Sequence, residues 1–407
     1  MHLFLLKASW MSAPPYEFFF KGRYKMGKKS NSQANEAPKL QRNVNMDIIR
    51  IMAFAFVPSV HFFLHNGFYS QTVDNPRMVI MTFMRNLFLL CIPLFLLLTG
   101  YLQGNKKIEP TKKYYLKITK IIVPYLIIMT FDLIYIVNVL GWEYGVKEYV
   151  HNYTSFTHYS WYVEMYIGLF LLIPFLNLIW QNLKNKTQER ALIITMFILM
   201  IAPTLFNYYQ FDAENVMACT SDEYWSVFPN WWAGVYPLAY YFTGAYLAKN
   251  KENLKIKPVF AFLIFLGTWA VFGIYTLLRC WGGKASVHGW LGYNSWGLYF
   301  MGVALFIFIN SINFKSVPKF VGKTLGKLSD LTFGAYLASW MLDQYMYSKV
   351  LNVKVTTMED RLVWYIPCVL IAVTVAFIIS FVADIFYRAG SIVASDIAKE
   401  IRKRKNS

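Results

Sequence analysis

An all-α, polytopic membrane bundle is the fold this sequence predicts, on three observations. The 407 residues are 57% hydrophobic and only 15% charged, which leaves too few polar residues to coat a soluble globule of this length. Apolar runs of about twenty residues recur from Met46 to Phe386, the length needed to cross roughly 30 Å of hydrocarbon. Lys and Arg gather in every second connection between these runs. Because the runs are continuous rather than alternating, an outer-membrane β-barrel is excluded.

Ten spans follow from the runs, at about Met46–His65, Phe83–Leu102, Ile118–Leu140, Trp161–Trp180, Ala191–Tyr209, Trp231–Ala248, Val259–Leu278, Leu291–Ile309, Leu331–Tyr347 and Leu362–Tyr387. Residues 46–388 form the membrane domain. Ahead of it, residues 1–45 read as a basic cytoplasmic arm, expected to be disordered, in which two hydrophobic patches are too short to span. Met26 and Met46 are alternative starting points. Residues 389–407 form a basic cytoplasmic tail ending Arg402-Lys403-Arg404-Lys405. The connections holding Lys106, Lys107, Lys112 and Lys113, then Lys184, Lys186 and Arg190, then Lys249 to Lys257, then Lys315 to Lys327 are all basic. The one around Asp212, Glu214, Asp222 and Glu223 has no basic residue. Every alternate loop therefore predicts an N-in, C-in arrangement with an even number of spans.

The net charge of +18 sits beside apolar spans, so it marks orientation rather than nucleic-acid binding. Cys91, Cys219, Cys280 and Cys368 lack metal-ligand spacing, and no metal is expected. Cys219 and Cys280 fall in external loops, where a disulfide is compatible with their placement. Trp142, Trp161, Trp225, Trp231, Trp232, Trp281 and Trp290 crowd the external ends, either as an interfacial belt or as a platform for sugar rings.

Ionisable residues inside a span are costly and so mark candidate sites. Arg50 and His61 lie 61 − 50 = 11 positions apart on the first span, on one face and roughly 16 Å apart. His61, expected near mid-membrane, can exchange a proton as a general base; a hydrogen-bonded structural histidine is the alternative. Arg50 can grip phosphate or carboxylate with its fork, or anchor the span at the headgroups, and Asp47 is placed to pair with it. Lys117 and Lys120 sit at the inner surface before Pro124 and can hold an anion or anchor the helix. Glu164 lies just inside the outer surface, and by depth Arg85 is its candidate partner. Asp132, Asp343 and Asp384 are further carboxylates without an assigned role.

Together these pieces resemble one family, the acyltransferase 3 family of integral-membrane acyltransferases. Arg50 and His61 match its arginine–ten residues–histidine motif, and Asp47-Ile-Ile-Arg50 its lead-in. Pro93-Leu-Phe through Thr99-Gly100-Tyr101 is similar to its second span, with Thr for Ser. Lys117, Lys120 and Pro124 resemble its basic-basic-proline third span, with lysines for the usual arginines. Trp161-Tyr162 with Tyr166 resembles the entry to a later span. Gly334-Ala-Tyr336-Leu337 resembles a late-span motif that commonly continues to a histidine; here that place is Ser339. The resemblance covers about Met46 to Tyr387. It implies transfer of an acetyl, or alternatively a succinyl, group from cytoplasmic acyl-CoA to a hydroxyl of an extracytoplasmic or lipid-linked glycan, in a bacterial plasma membrane. Under it, His61 and Glu164 are the expected catalytic residues. Arg50, Lys117 and Lys120 are expected to hold acyl-CoA, and Arg85, Trp161 and Tyr166 the acceptor. A homo-oligomer is compatible with the sequence. Two other classes also suit ten spans with buried charge: a transporter or exporter that performs no acyl transfer, and an assembly subunit of a polysaccharide machine.

Overall fold

The computed structural model describes residues 42–154, 160–211, 224–285, 289–314 and 316–406. Most of the basic arm, the acidic connection at 212–223 and Cys219 of the Cys219–Cys280 pair lie outside the described residues.

Helices account for nearly all the regular structure, and the described residues add only isolated β-bridges. The principal helices are α1 (Val44–His65), α2 (Pro76–Phe88), α3 (Cys91–Gln103), α4 (Thr119–Asn138), α5 (Trp161–Gln181), α6 (Lys186–Met200), α7 (Pro237–Lys249), α8 (Pro258–Cys280), α9 (Trp296–Ser311), α10 (Lys319–Tyr345) and α11 (Tyr365–Asn406). Among the described residues, seven segments are long and apolar enough to cross a membrane by themselves: Val44–His65, Pro76–Gln103, Lys112–Asn138, Trp161–Gln181, Pro258–Cys280, Gly289–Ser311 and Met358–Ile397. They make the protein a multi-pass helical membrane protein. Their outward faces are largely apolar: Leu172, Phe175 and Ile179 on α5 are exposed, as are Leu263 and Ile264 on α8 and Leu370, Ile378 and Phe381 on α11. That surface suits acyl chains and would aggregate in water.

The three remaining expected spans are shorter or more polar. The run 191–209 ends as helix at Met200, after which Pro203 starts a separate short turn. The run 231–248 becomes α7, which Pro237 opens at its first turn. α10 begins at Lys319, well ahead of the expected Leu331. The second expected span is jointed. Pro93 has no N–H to give and its ring crowds the carbonyl four residues back, and the chain breaks there, at Leu89–Leu90, between α2 and α3.

Small residues bring α3 and α7 into contact. A Cβ on Gly100 would collide with the Tyr241 carbonyl, and one on Gly244 with the Leu97 carbonyl. Only glycine lets these two backbones meet. The Asn177 amide donates to the carbonyls of Gln103 (2.9 Å) and Lys106 (2.8 Å), and Tyr241 donates to Asn177 (2.6 Å). α3, α5 and α7 therefore finish at the same end of the bundle.

α1 is the hub, packed against α2, α3, α9, α10 and α11. It runs parallel to α10, because Arg50 meets Ser329 and His61 meets Asp343, so both partners advance together. α11 has 42 residues, about 63 Å of helix, so the basic tail continues the last span as helix.

Candidate functional site

The site grows from the two ends of the α1–α10 pair. At the first end, Asn43 caps α1 by accepting from the Asn45 N–H. Arg42 then forks onto Asp47 through Nε (2.7 Å) and Nη2 (2.9 Å), onto Asp330 of α10 (3.0 and 2.7 Å), and onto the Gly326 carbonyl (2.8 Å). Burial works against the Arg42 charge, but the hydrogen bonds to Asp47 and Asp330 outweigh it and hold its pKa above the ordinary value. Arg42 falls within the stretch expected to be disordered, and its ion pairs hold the chain just ahead of α1.

Arg50 is 2% exposed, so it does not snorkel to headgroups. Its Nη1 donates to Ser329 and lies 3.5 Å from Asp47. Two arginines and two aspartates balance charge here. Tyr166 of α5, also buried, lies within electrostatic reach of Arg50. Tyr166 stacks on Tyr162 (centroids 6.3 Å apart), which meets Tyr336 of α10 edge-on at 5.9 Å. Lys117 is half-buried over the Tyr114 ring at 5.5 Å, and Tyr114 stacks on Phe170. Lys120 is also half-buried. Arg42 and Arg50 are matched by Asp47 and Asp330, and Lys117 and Lys120 add positive charge close by in sequence to the ring pair Tyr114–Phe170.

At the second end, His61 Nδ1 is hydrogen-bonded to Asp343, whose side chain is fully buried. His61 lies four residues from the C-terminal end of α1. Asp343 carried no assignment from the sequence, yet it supplies the carboxylate beside the imidazole. It stands one turn beyond Ser339, which occupies the family's second-histidine place and bonds back to the Tyr336 carbonyl (2.8 Å). Tyr365 donates to Ser59 (2.9 Å), closing the α11 side of this end.

Glu164 is brought to neither end. It is exposed on α5, while Tyr162, Val163 and Tyr166 turn inward. Its expected pairing with Arg85 is not found. Arg85 is 1% exposed and donates to the Tyr69 hydroxyl (2.9 Å). The tryptophans divide. Trp142, Trp225, Trp231, Trp232 and Trp281 are exposed, as a belt requires, whereas Trp290 is buried and Trp161 stacks on Tyr293 at 5.4 Å. Sequence reasoning also missed Arg279. It is buried with its guanidinium 4.5 Å from the Tyr209 ring and 4.7 Å from that of Trp290, and it donates to the carbonyl of Tyr208, whose φ is +69°. It pins a turn that an L-residue adopts reluctantly.

A basic, half-buried entrance, a buried tyrosine column and a carboxylate-oriented histidine can together hold an anionic donor and move a proton. Comparisons with curated proteins and with solved structures find no match. Residues 43–381, most of the chain and all of the site described above except Arg42, match the family described as an acyltransferase domain. The chain is a multi-pass membrane acyltransferase and belongs to the acyltransferase 3 family.

Proposed function

We propose that the protein transfers an acyl group, acetyl in the first instance and succinyl as the variant, from cytoplasmic acyl-CoA to a hydroxyl of an extracytoplasmic or lipid-linked glycan. It would act in a bacterial plasma membrane with ten crossings, both termini inside. The observation that carries this reading is the His61–Asp343 hydrogen bond. With Nδ1–H donated to the carboxylate, Nε2 keeps its lone pair for the acceptor. His61 takes the proton from the acceptor hydroxyl as its oxygen attacks the thioester carbonyl. The C–S bond breaks, the ester forms, and the proton leaves on the CoA sulfur. Asp343 holds the ring and steadies its transient positive charge.

Lys117 and Lys120 take the donor phosphates at the entrance, and Arg50 marks the way inward beside Tyr166. Arg85 and Trp161, joined through the Tyr293 region, shape the acceptor end. The test uses membranes from a strain lacking the gene, complemented with wild type or His61→Ala and supplied with labelled acyl-CoA. Wild type should restore one alkali-labile acyl ester on the glycan, and His61→Ala should lower the initial rate by about 10²–10⁴-fold at equal membrane abundance. Normal labelling by the variant removes His61 from the mechanism. Glycan export without thioester consumption by the wild type would identify a carrier instead.

A further inference from the structure

His61-Phe62-Phe63-Leu64-His65 places two imidazoles four residues apart, on one face of α1. One ligand atom from each of His61, His65 and Asp343 lies within 4.8 Å of the others. The two imidazoles meet edge to face with centroids 5.9 Å apart. Proton transfer accounts for His61 and one oxygen of Asp343 and leaves the rest unused. Asp343 Oδ1 is buried and accepts no hydrogen bond, and the buried Tyr347 hydroxyl, one turn further along, has no partner. The His65 ring stacks on Tyr347 at 5.8 Å, and no hydrogen bond among the described residues holds its nitrogens.

We propose that His61, His65 and Asp343 bind one divalent transition-metal ion of the zinc class, and that the bound ion shuts off acyl transfer. Two imidazoles four apart on a helix with one carboxylate are an N2O donor set that suits Zn²⁺; Mg²⁺ and Ca²⁺ want oxygen ligands. Three protein ligands leave a fourth position for water. Metal–ligand bonds of about 2.1 Å put tetrahedral ligands roughly 3.4 Å apart; with all ligand atoms within 4.8 Å, no pair must close by more than about 1.4 Å, and the hydrogen-bonded His61–Asp343 pair has only to exchange its proton for the ion. The His65 side chain can turn that far without breaking a hydrogen bond. Binding depends only on this geometry. The inhibition rests on His61 being the base: an ion on Nε2 occupies the lone pair that would receive the acceptor proton, and an ion on Nδ1 displaces the bond to Asp343 and leaves the ring proton on Nε2, so either way no basic Nε2 remains.

The full-length protein in detergent, stripped with chelator, is titrated with Co²⁺ as a spectroscopic probe and then with Zn²⁺, alongside His65→Gln and His65→Leu, each checked for monodispersity. The proposal expects one Co²⁺ per chain in a tetrahedral-type spectrum, displaced by Zn²⁺. It expects affinity to fall at least about a hundredfold in both variants, more than loss of an outer-shell partner costs. It also expects metal-free acyl transfer by the His65 variants to match wild type and to resist Zn²⁺ that inhibits wild type. Absence of a stoichiometric site, or wild-type affinity in both variants, overturns the metal site. Stoichiometric binding without inhibition of wild type overturns the inhibitory half and, with it, His61 as base, while leaving the metal site standing.

Discussion

Asp343→Asn is the sharpest probe of the proposed chemistry. The substitution keeps shape and volume and removes only the charge facing His61. When His61 carries the acceptor proton, imidazolium and carboxylate stand at an effective separation of roughly 4 Å, worth about 4 kcal/mol at an effective dielectric near 20. Dividing by about 1.4 kcal/mol per decade gives close to a thousandfold in rate. Asn can also bond its amide N–H to Nδ1, which would leave the wrong nitrogen protonated and adds to the loss. Stability should change little, since a buried charge is removed while the Asn side chain can still hydrogen-bond Nδ1, and Oδ1 has no partner to lose. The assay is the initial rate of acyl-CoA-dependent ester formation in complemented membranes, with thermal unfolding of the detergent-purified protein measured in parallel. Activity within about tenfold of wild type, in a protein of unchanged thermal stability, would refute the orienting and charge-stabilising role of Asp343.

Lys117→Ala combined with Lys120→Ala should raise the apparent KM for acyl-CoA by about ten- to a hundredfold, the value of one lost charge-assisted bond, with kcat nearly kept; titration of acyl-CoA checks it. Arg42→Ala leaves Asp47 buried with only Arg50 at 3.5 Å, and should cost roughly 3 kcal/mol, read as a lower thermal midpoint. Gly100→Ala and Gly244→Ala each force α3 from α7 and should destabilise by at least about 1–3 kcal/mol, whereas Gly168→Ala, whose Cβ meets no atom, should not.

What the sequence could reveal depended on how local each feature is. Arg50 and His61 share one helix, so their spacing alone placed them on one face. Asp343 is 282 positions from His61, and only the packing of α10 on α1 makes it a partner. Some misreadings had a signal in hand. Pro93 marks the joint at Leu89 by the same rule that ends helices elsewhere. Tyr162, Tyr166 and Leu169 define the inward stripe of α5, and Glu164, two residues off that stripe, lies on the far side of a 3.6-residue turn. Arg42 was hidden by composition. It closes a polar, basic stretch, and its role comes from Asp330 in a helix that the sequence starts a residue later, at Leu331.

The lower clamp also bears on the chemistry at the other end. Along α1, Arg50 and His61 are 11 residues apart; along α10, their partners Ser329 and Asp343 are 343 − 329 = 14 apart. At about 1.5 Å per residue these are some 16 Å and 21 Å, and the flexible arginine stem takes up the difference. Two parallel helices joined only by apolar side chains can slide by a fraction of a turn at small cost in lipid, where no hydrophobic force favours one register. Arg42 removes that freedom, because its fork bonds Asp47 on α1 and Asp330 on α10 at once, with planar geometry that tolerates little displacement. A slip of even 1 Å would loosen the His61–Asp343 contact, and misplacement on that scale can cost about a hundredfold in rate. An ion-pair network at the far end of the bundle therefore fixes whether the imidazole and its carboxylate meet, which is why the same Arg42→Ala variant should lose activity as well as stability.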